Sequence, residues 1–338
     1  MKIGDNSSNS KLGLEGWLPC RVFWEAGEPM VEWIYAGRER FTDPFYEISI
    51  GVWINRPFNA LFRKRTPIAD LTAWARESPG VSPTGFIFHL SRCGSTLISQ
   101  QLAALERCIV LSEPTPVDTI LGSSLLHPET TDEQRSLWLR SMVSALMQPR
   151  NDETAGFIKF DSWHTIDLPL IRRAYPEVPM IFLYREPSEV IVSHWRMPGA
   201  QMVPGSVAGY ALGIAPNDPS ITSQEEYMAL VLQRICSGVI ASGVPIRLVN
   251  YTELPELTYS AKSNFFKFEL SDSDRAKIIA VSSKDAKQPR VQFTSDSAQK
   301  QSRITDAIRK AADSIVGPIY QELEKLRASQ DLEDPLTR

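Results

Sequence analysis

Residues 86–97, FIFHLSRCGSTL, pass from an apolar run into a turn at Gly94 and then into the small hydroxyl residues Ser95 and Thr96, which suit the start of a helix. Such a turn is suited to hold an anion. The amides that open a helix have no intrahelical acceptor, the helix dipole favours negative charge beside them, and the two hydroxyls add further donors. A nucleotide-triphosphate loop of the form GxxxxGK[ST] needs a Lys before the hydroxyl residue. This loop has one glycine, preceded by Cys93 and Arg92, so it predicts anion binding by something other than the ordinary ATP loop. Further along, Glu113, Lys159, Arg185 and Tyr251 each stand at or just past the end of an apolar run, as Arg92 does.

These residues need a scaffold that brings distant strand ends together. From GFIFHL onward, short apolar runs (CIVLSE, GFIKF, VPMIFLYRE, PIRLVNY) alternate with helical stretches at about 95–106, near 132–147, at SEVIVSHWR and near 224–242. That alternation predicts an α/β fold, a three-layer parallel sheet of the P-loop NTPase-like type with helices on both faces. Ligands of such sheets bind at the carboxyl ends of the strands, which is where the five polar residues fall. Residues 19–54 read as short and β-like, with a hairpin around Gly27 and Pro29, and 68–77 has helical spacing. The expected organisation is a small β-rich N-terminal extension over 1–78, the α/β domain over 79–327, and a loose polar tail over 328–338.

Composition narrows the function classes. The formal charge is −4, which leaves no global positive field for nucleic acid or an anionic membrane. The four cysteines show neither CxxC pairing nor a secreted-framework spacing, so neither zinc nor a disulfide scaffold is expected. No apolar run reaches the roughly 18 residues a membrane span needs, and the expected location is cytoplasmic.

In its details the chain resembles the sulfotransferases. SRCGSTL, residues Ser91, Arg92, Cys93, Gly94, Ser95, Thr96 and Leu97, is similar to the family's 5′-phosphosulfate loop, and Arg92 matches the basic position as the protein-tyrosine branch has it. LYREPSEVIVSHW places Arg185 and, eight residues later, Ser193 as in the family's 3′-phosphate motif. The resemblance covers roughly 81–325 and implies a 3′-phosphoadenylyl sulfate (PAPS) donor, no metal, and transfer of a sulfuryl group to a hydroxyl or amine. It further implies that Lys159 reaches the transferring group and that Tyr251, in LVNYTEL, lies near the adenine, although Thr252 stands where the family usually has Glu. For the base, Asp161 occupies the place of the cytosolic members' His, and Glu113 that of the protein-tyrosine branch's Glu; Glu113 is favoured, with His164 a third candidate.

Plainer readings accompany these. The loop could be a capped strand-to-helix turn. Lys159 could be a snorkelling surface lysine. His89 and His194 read as satisfied core histidines, and Cys93 at a helix start should have some thiolate character. The run KDAKQPR, 284–290, could close over nucleotide phosphates or be a solvated loop. The tryptophans read chiefly as core. Rival functions are a nucleotide-dependent kinase with a degenerate loop, with Asp161 as its Mg²⁺ ligand, and a non-catalytic nucleotide-binding protein. The acceptor, whether a small molecule, carbohydrate or peptide, and a possible homodimer are left open.

Overall fold

The computed structural model describes residues 13–216, 218–219, 221–259, 266–287, 291–292 and 297–333. Five strands form a parallel sheet: β4 (Pro83–His89), β5 (Cys108–Ser112), β6 (Ala155–Lys159), β7 (Met180–Tyr184) and β8 (Arg247–Asn250), in the spatial order β5-β6-β4-β7-β8. β5, β6 and β7 are buried at every position because helices cover both faces, which is why they read as unbroken apolar runs rather than alternating ones. Register places the carboxyl ends level. Lys159 pairs with Ile87 and Ser112, His89 with Leu183, and Tyr184 with Asn250.

The extension is a three-stranded antiparallel sheet of β1 (Trp17–Glu25), β2 (Glu28–Tyr35) and β3 (Lys64–Pro67). The expected hairpin is β1–β2, but Tyr46–Ile54, within the stretch read as β-like, is a helix. Its Tyr46, Ser49, Ile50 and Trp53 are buried, a helical repeat that its Ile and Val content obscures. The extension is no separate body. Its buried side chains join those of the α/β part in one continuous core, and Trp24 of β1 stacks on His127 with ring centres 4.1 Å apart.

The last helix, Gly317–Glu333, corrects the loose tail expected from 328. Gln330 accepts from the Leu248 N–H at 2.9 Å and donates to the Ile246 carbonyl at 2.8 Å, and Asp331 pairs with Arg247. Polar residues there serve the exposed edge of β8, which a composition reading mistakes for solvation. Residues 334–338 lie outside the described ones. No helix among the described residues is long and apolar enough to cross a membrane.

Candidate functional site

β4 ends in His89, and the chain then turns through Ser91 (φ 75°), Arg92 (φ 51°) and Gly94 (φ 90°) before helix Ser95–Ala103 begins. Non-glycine residues at positive φ cost of order 1–3 kcal/mol each and persist where the surroundings over-determine them. The same conformation recurs at Glu113 (φ 55°), just past β5. Three of the strained residues among those described therefore lie at one sheet edge. Ser95 and Thr96 are buried, Leu97 is half-buried, and Ser99 donates to the Thr96 carbonyl at 3.0 Å.

Lys159 ends β6 and is wholly buried, which sets aside the snorkelling alternative. Its Nζ lies 3.0 Å from Glu113 Oε1 and 4.6 Å from the centre of the Phe45 ring. The Glu113 N–H donates to the Lys159 carbonyl at 2.7 Å, so backbone and side chain both tie the two strand ends. Burial opposes ionisation of Glu113, but Lys159 and then His89 outweigh it and hold its carboxyl far below the usual range. Glu113 is thus the counter-ion of Lys159 and a weak proton acceptor.

Three histidines share one device. Backbone amides donate to Nδ1 of His89 (from Ser91, 3.0 Å), His164 (from Asp161, 3.2 Å) and His194 (from Gly199, 3.1 Å). In the neutral ring the proton then sits on Nε2. His164 Nε2 meets Asp118 Oδ1 at 2.8 Å, and His89 Nε2 lies 3.3 Å from Glu113 Oε1 without hydrogen-bond alignment. His194 Nε2 is buried and has no hydrogen-bond partner among the described residues. Burial, followed by the nearby charges of Arg92, Lys287 and Lys300, pushes His194 down to about 3. His89 and His194 are both buried as core histidines would be, with His89 set between Ser91 and Glu113 and His194 left with one unpartnered nitrogen among the described residues.

Asp161, a short way past Lys159, is buried beside both pairs. Burial first, then the charge of Glu113, raises its carboxyl well above the ordinary value. His164 is pulled both ways: burial lowers its pKa, but Asp118 and Asp161 prevail and raise it. Ligand atoms of Asp118, Asp161 and His164 lie within 4.8 Å of one another.

The run at 284–290 is described as far as Lys287, whose Nζ lies 5.7 Å from the centre of the Phe45 ring that Lys159 also approaches. Exposed on one side and crowded on the other, it is brought down to about 8 by burial and by the charges of Arg92 and Lys159. Residues 288–290 lie outside the described ones. Arg92 donates to the Met197 carbonyl at 2.7 Å.

At the next strand end, Arg185 is buried. It donates to Glu189 (Nε to Oε2, 2.6 Å) and Ser297 (2.9 Å), and its guanidinium stacks 3.9 Å from the Tyr251 ring. Gln301 donates to the other oxygen of Glu189 at 2.7 Å, so this network ties the C-terminal segment to the sheet edge. Ser193 is half-buried, and its hydroxyl joins none of these bonds. Tyr251 and Leu254 also back the loop, where a Cβ on Gly94 would come within 3.2 Å of Tyr251 and 2.6 Å of Leu254.

Cys93 departs from expectation. Wholly buried, it is pushed up to about 11 by burial, against the weaker help of backbone donors and of Arg185 and Lys159, so it has no thiolate character. Phe45, His194 and Asp118 have no signal in the sequence, since each acquires its neighbours from distant parts of the chain. Comparison with protein-family models and with curated proteins gives no match.

Proposed function

We propose that the protein transfers a sulfuryl group from PAPS to a hydroxyl or amine, with the strand-end cluster as the transfer centre. The observation that carries this reading is the gathering of buried nitrogens at one strand-end edge, Lys159 Nζ and His89 Nε2 facing the single carboxylate of Glu113 and His194 Nε2 without a hydrogen-bond partner among the described residues, beside Arg92 and Lys287. More buried donors than acceptors at one place fit an anionic ligand with multiple acceptor oxygens. PAPS would supply an activated sulfur and a leaving phosphate. The S–O bond to that phosphate breaks, the acceptor's O–S or N–S bond forms, and the bisphosphate departs with the electron pair.

The chain's part is positioning and electrostatics. Lys159 and Arg92 supply fixed positive charge for the oxygens that gain charge, and Glu113 holds Lys159 in place. The proton released by the acceptor goes to a carboxylate, and Asp161, whose proton affinity burial has raised, suits that role better than the strongly ionised Glu113. Arg185 and Tyr251 would hold the nucleotide's 3′-phosphate end, with Arg185 sharing its fork with Glu189.

Incubation with PAPS and a panel of alcohols, phenols and amines, read as release of adenosine 3′,5′-bisphosphate, tests this. Lys159→Met should abolish release, and Asp161→Asn should lower it by about 10²-fold, the scale of general-base catalysis. Full release by both variants would overturn the reading. The kinase alternative has the Asp118, Asp161 and His164 cluster in its favour. It predicts turnover of ATP with Mg²⁺ and none of PAPS.

A further inference from the structure

On the side of the sheet where the strands begin, away from the strand-end cluster, a cavity of about 430 Å³ lies between the extension and the α/β part. Gln148, Pro149 and Arg150 form one wall, after helix Asp132–Leu146 and ahead of β6. The neighbouring Met147 carbonyl accepts from the Val81 N–H at 2.9 Å, just ahead of β4. Trp74, on helix Ile68–Glu77, also lines the cavity. The extension's wall is residues 14–17 and 35–38, at the open end of the β1–β2 hairpin, where the Gly16 carbonyl accepts from the Ala36 and Gly37 amides at 2.9 Å each.

Arg150 decides what the cavity can hold. Among the described residues its guanidinium has neither a hydrogen-bond acceptor nor a carboxylate within ion-pair distance, and its Nε is buried without a partner. Its one recorded side-chain contact of this kind is the Phe41 ring, whose centre lies 5.0 Å away. Glu153, whose charge acts on Arg150, accepts instead from the backbone amides of Arg150 and Asn151 at 2.7 and 2.6 Å. Burial brings Arg150 down to about 10. A guanidinium taken from water without a counter-ion is costly, and its planar fork suits an acceptor with two oxygens. The rest of the lining offers more donors than acceptors. Arg38 donates from Nε to Asn151 at 3.2 Å, and Gln148 donates to the Ser78 carbonyl at 2.5 Å. The Tyr35 and Ser78 hydroxyls and the indole N–H groups of Trp17 and Trp74 bond to none of the described residues. Against these donors stand Gln148 Oε1 and the exposed carboxylate of Glu15.

We propose that this cavity is a separate binding site for a small aromatic monoanion, a carboxylate whose two oxygens meet the Arg150 guanidinium while its ring packs among Trp17, Tyr35 and Trp74. The charges of the lining, Arg38 and Arg150 against Glu15, leave one cation in excess. A monoanion balances that excess, whereas a dianion such as a phosphate ester is repelled further by Glu15. The three rings supply the flat apolar walls that a neutral polyol would not use, and the volume falls in the range of small-molecule pockets. None of these residues belongs to the strand-end cluster, so the site stands whether or not the protein transfers sulfuryl groups.

Calorimetric titration of the wild type, Arg150→Gln and Glu15→Gln with 2-naphthoate, 2-naphthamide and 2-naphthyl phosphate tests this, with the denaturation midpoint showing whether Arg150→Gln is folded. The wild type should bind 2-naphthoate more tightly than the amide, which lacks the charge, and than the phosphate, which carries two. Arg150→Gln should weaken 2-naphthoate about tenfold or more, the scale of a lost hydrogen bond between charged groups. Glu15→Gln changes an exposed side chain and should bind the phosphate about two- to fivefold more tightly than the wild type does, the scale of an exposed charge pair. Saturation with adenosine 3′,5′-bisphosphate should leave 2-naphthoate affinity unchanged. The proposal falls if the wild type does not bind 2-naphthoate, if the amide or the phosphate binds as tightly, if folded Arg150→Gln keeps full affinity, or if the bisphosphate competes. Should Arg150→Gln not fold, the amide and phosphate comparisons on the wild type and Glu15→Gln decide.

Discussion

Lys159 and Glu113 show why residue type at a strand end is informative but incomplete. The sequence places a cation and a carboxylate at neighbouring strand ends, and the structure joins them at 3.0 Å with Lys159 fully buried. It does not reveal that the pairing drives Glu113 far below the ordinary carboxyl range while burial drives Asp161 the other way. Two carboxyls with opposed proton affinities suit different roles, and that division arises only from three-dimensional neighbours. Lys287 carries a prediction of this kind. Its folded pKa of about 8 lies below the ordinary lysine value, so in the free protein it loses its proton as pH rises through 8. A bound anion favours the charged form. Affinity for adenosine bisphosphate should therefore be greatest below pH 8 and fall as pH rises past it, whereas Lys287→Arg should keep its affinity to about pH 10 because guanidinium stays charged. Titrations at several pH values check this, and identical pH profiles for the two proteins would remove Lys287 from the site.

Among elements, the strands were the most legible, because burial on both faces writes itself as uninterrupted apolar runs. The turn was legible too, since Gly94 supplies the left-handed residue that leads from β4 into the helix Ser95–Ala103. Helix Tyr46–Ile54 and the end of helix Gly317–Glu333 were misread. In the first, β-branched residues mask a helical repeat of burial; in the second, polar side chains bond to a sheet edge rather than to water. Gly94 is the element-scale test. At φ 90°, with Leu254 2.6 Å from where a Cβ would stand, Gly94→Ala must strain the backbone and push Leu254 and Tyr251 away. The expected cost is about 1–2 kcal/mol of stability from the left-handed conformation, with bisphosphate affinity falling at least tenfold. Chemical denaturation and calorimetry measure the two effects, and unchanged affinity would detach the loop from the ligand.

At the scale of the molecule, the extension matters most. As a sequence it is a β-rich preface with no assignable role. In the structure it shares the core, sets the Phe45 ring 4.6 Å from Lys159 Nζ and 5.7 Å from Lys287 Nζ, and stacks Trp24 on His127. These contacts span the chain from end to end, so no local pattern could announce them. The α/β part gathers Arg92, Lys159 and Arg185 at one sheet edge, and the extension packs Phe45 against Lys159. The most direct test is calorimetric titration of the wild type and of Lys159→Met with adenosine 3′,5′-bisphosphate and, separately, with ATP plus Mg²⁺. Sulfuryl transfer predicts micromolar binding of the bisphosphate by the wild type, weaker binding by the variant, and no binding of ATP. Binding of ATP with Mg²⁺ but not of the bisphosphate would contradict it.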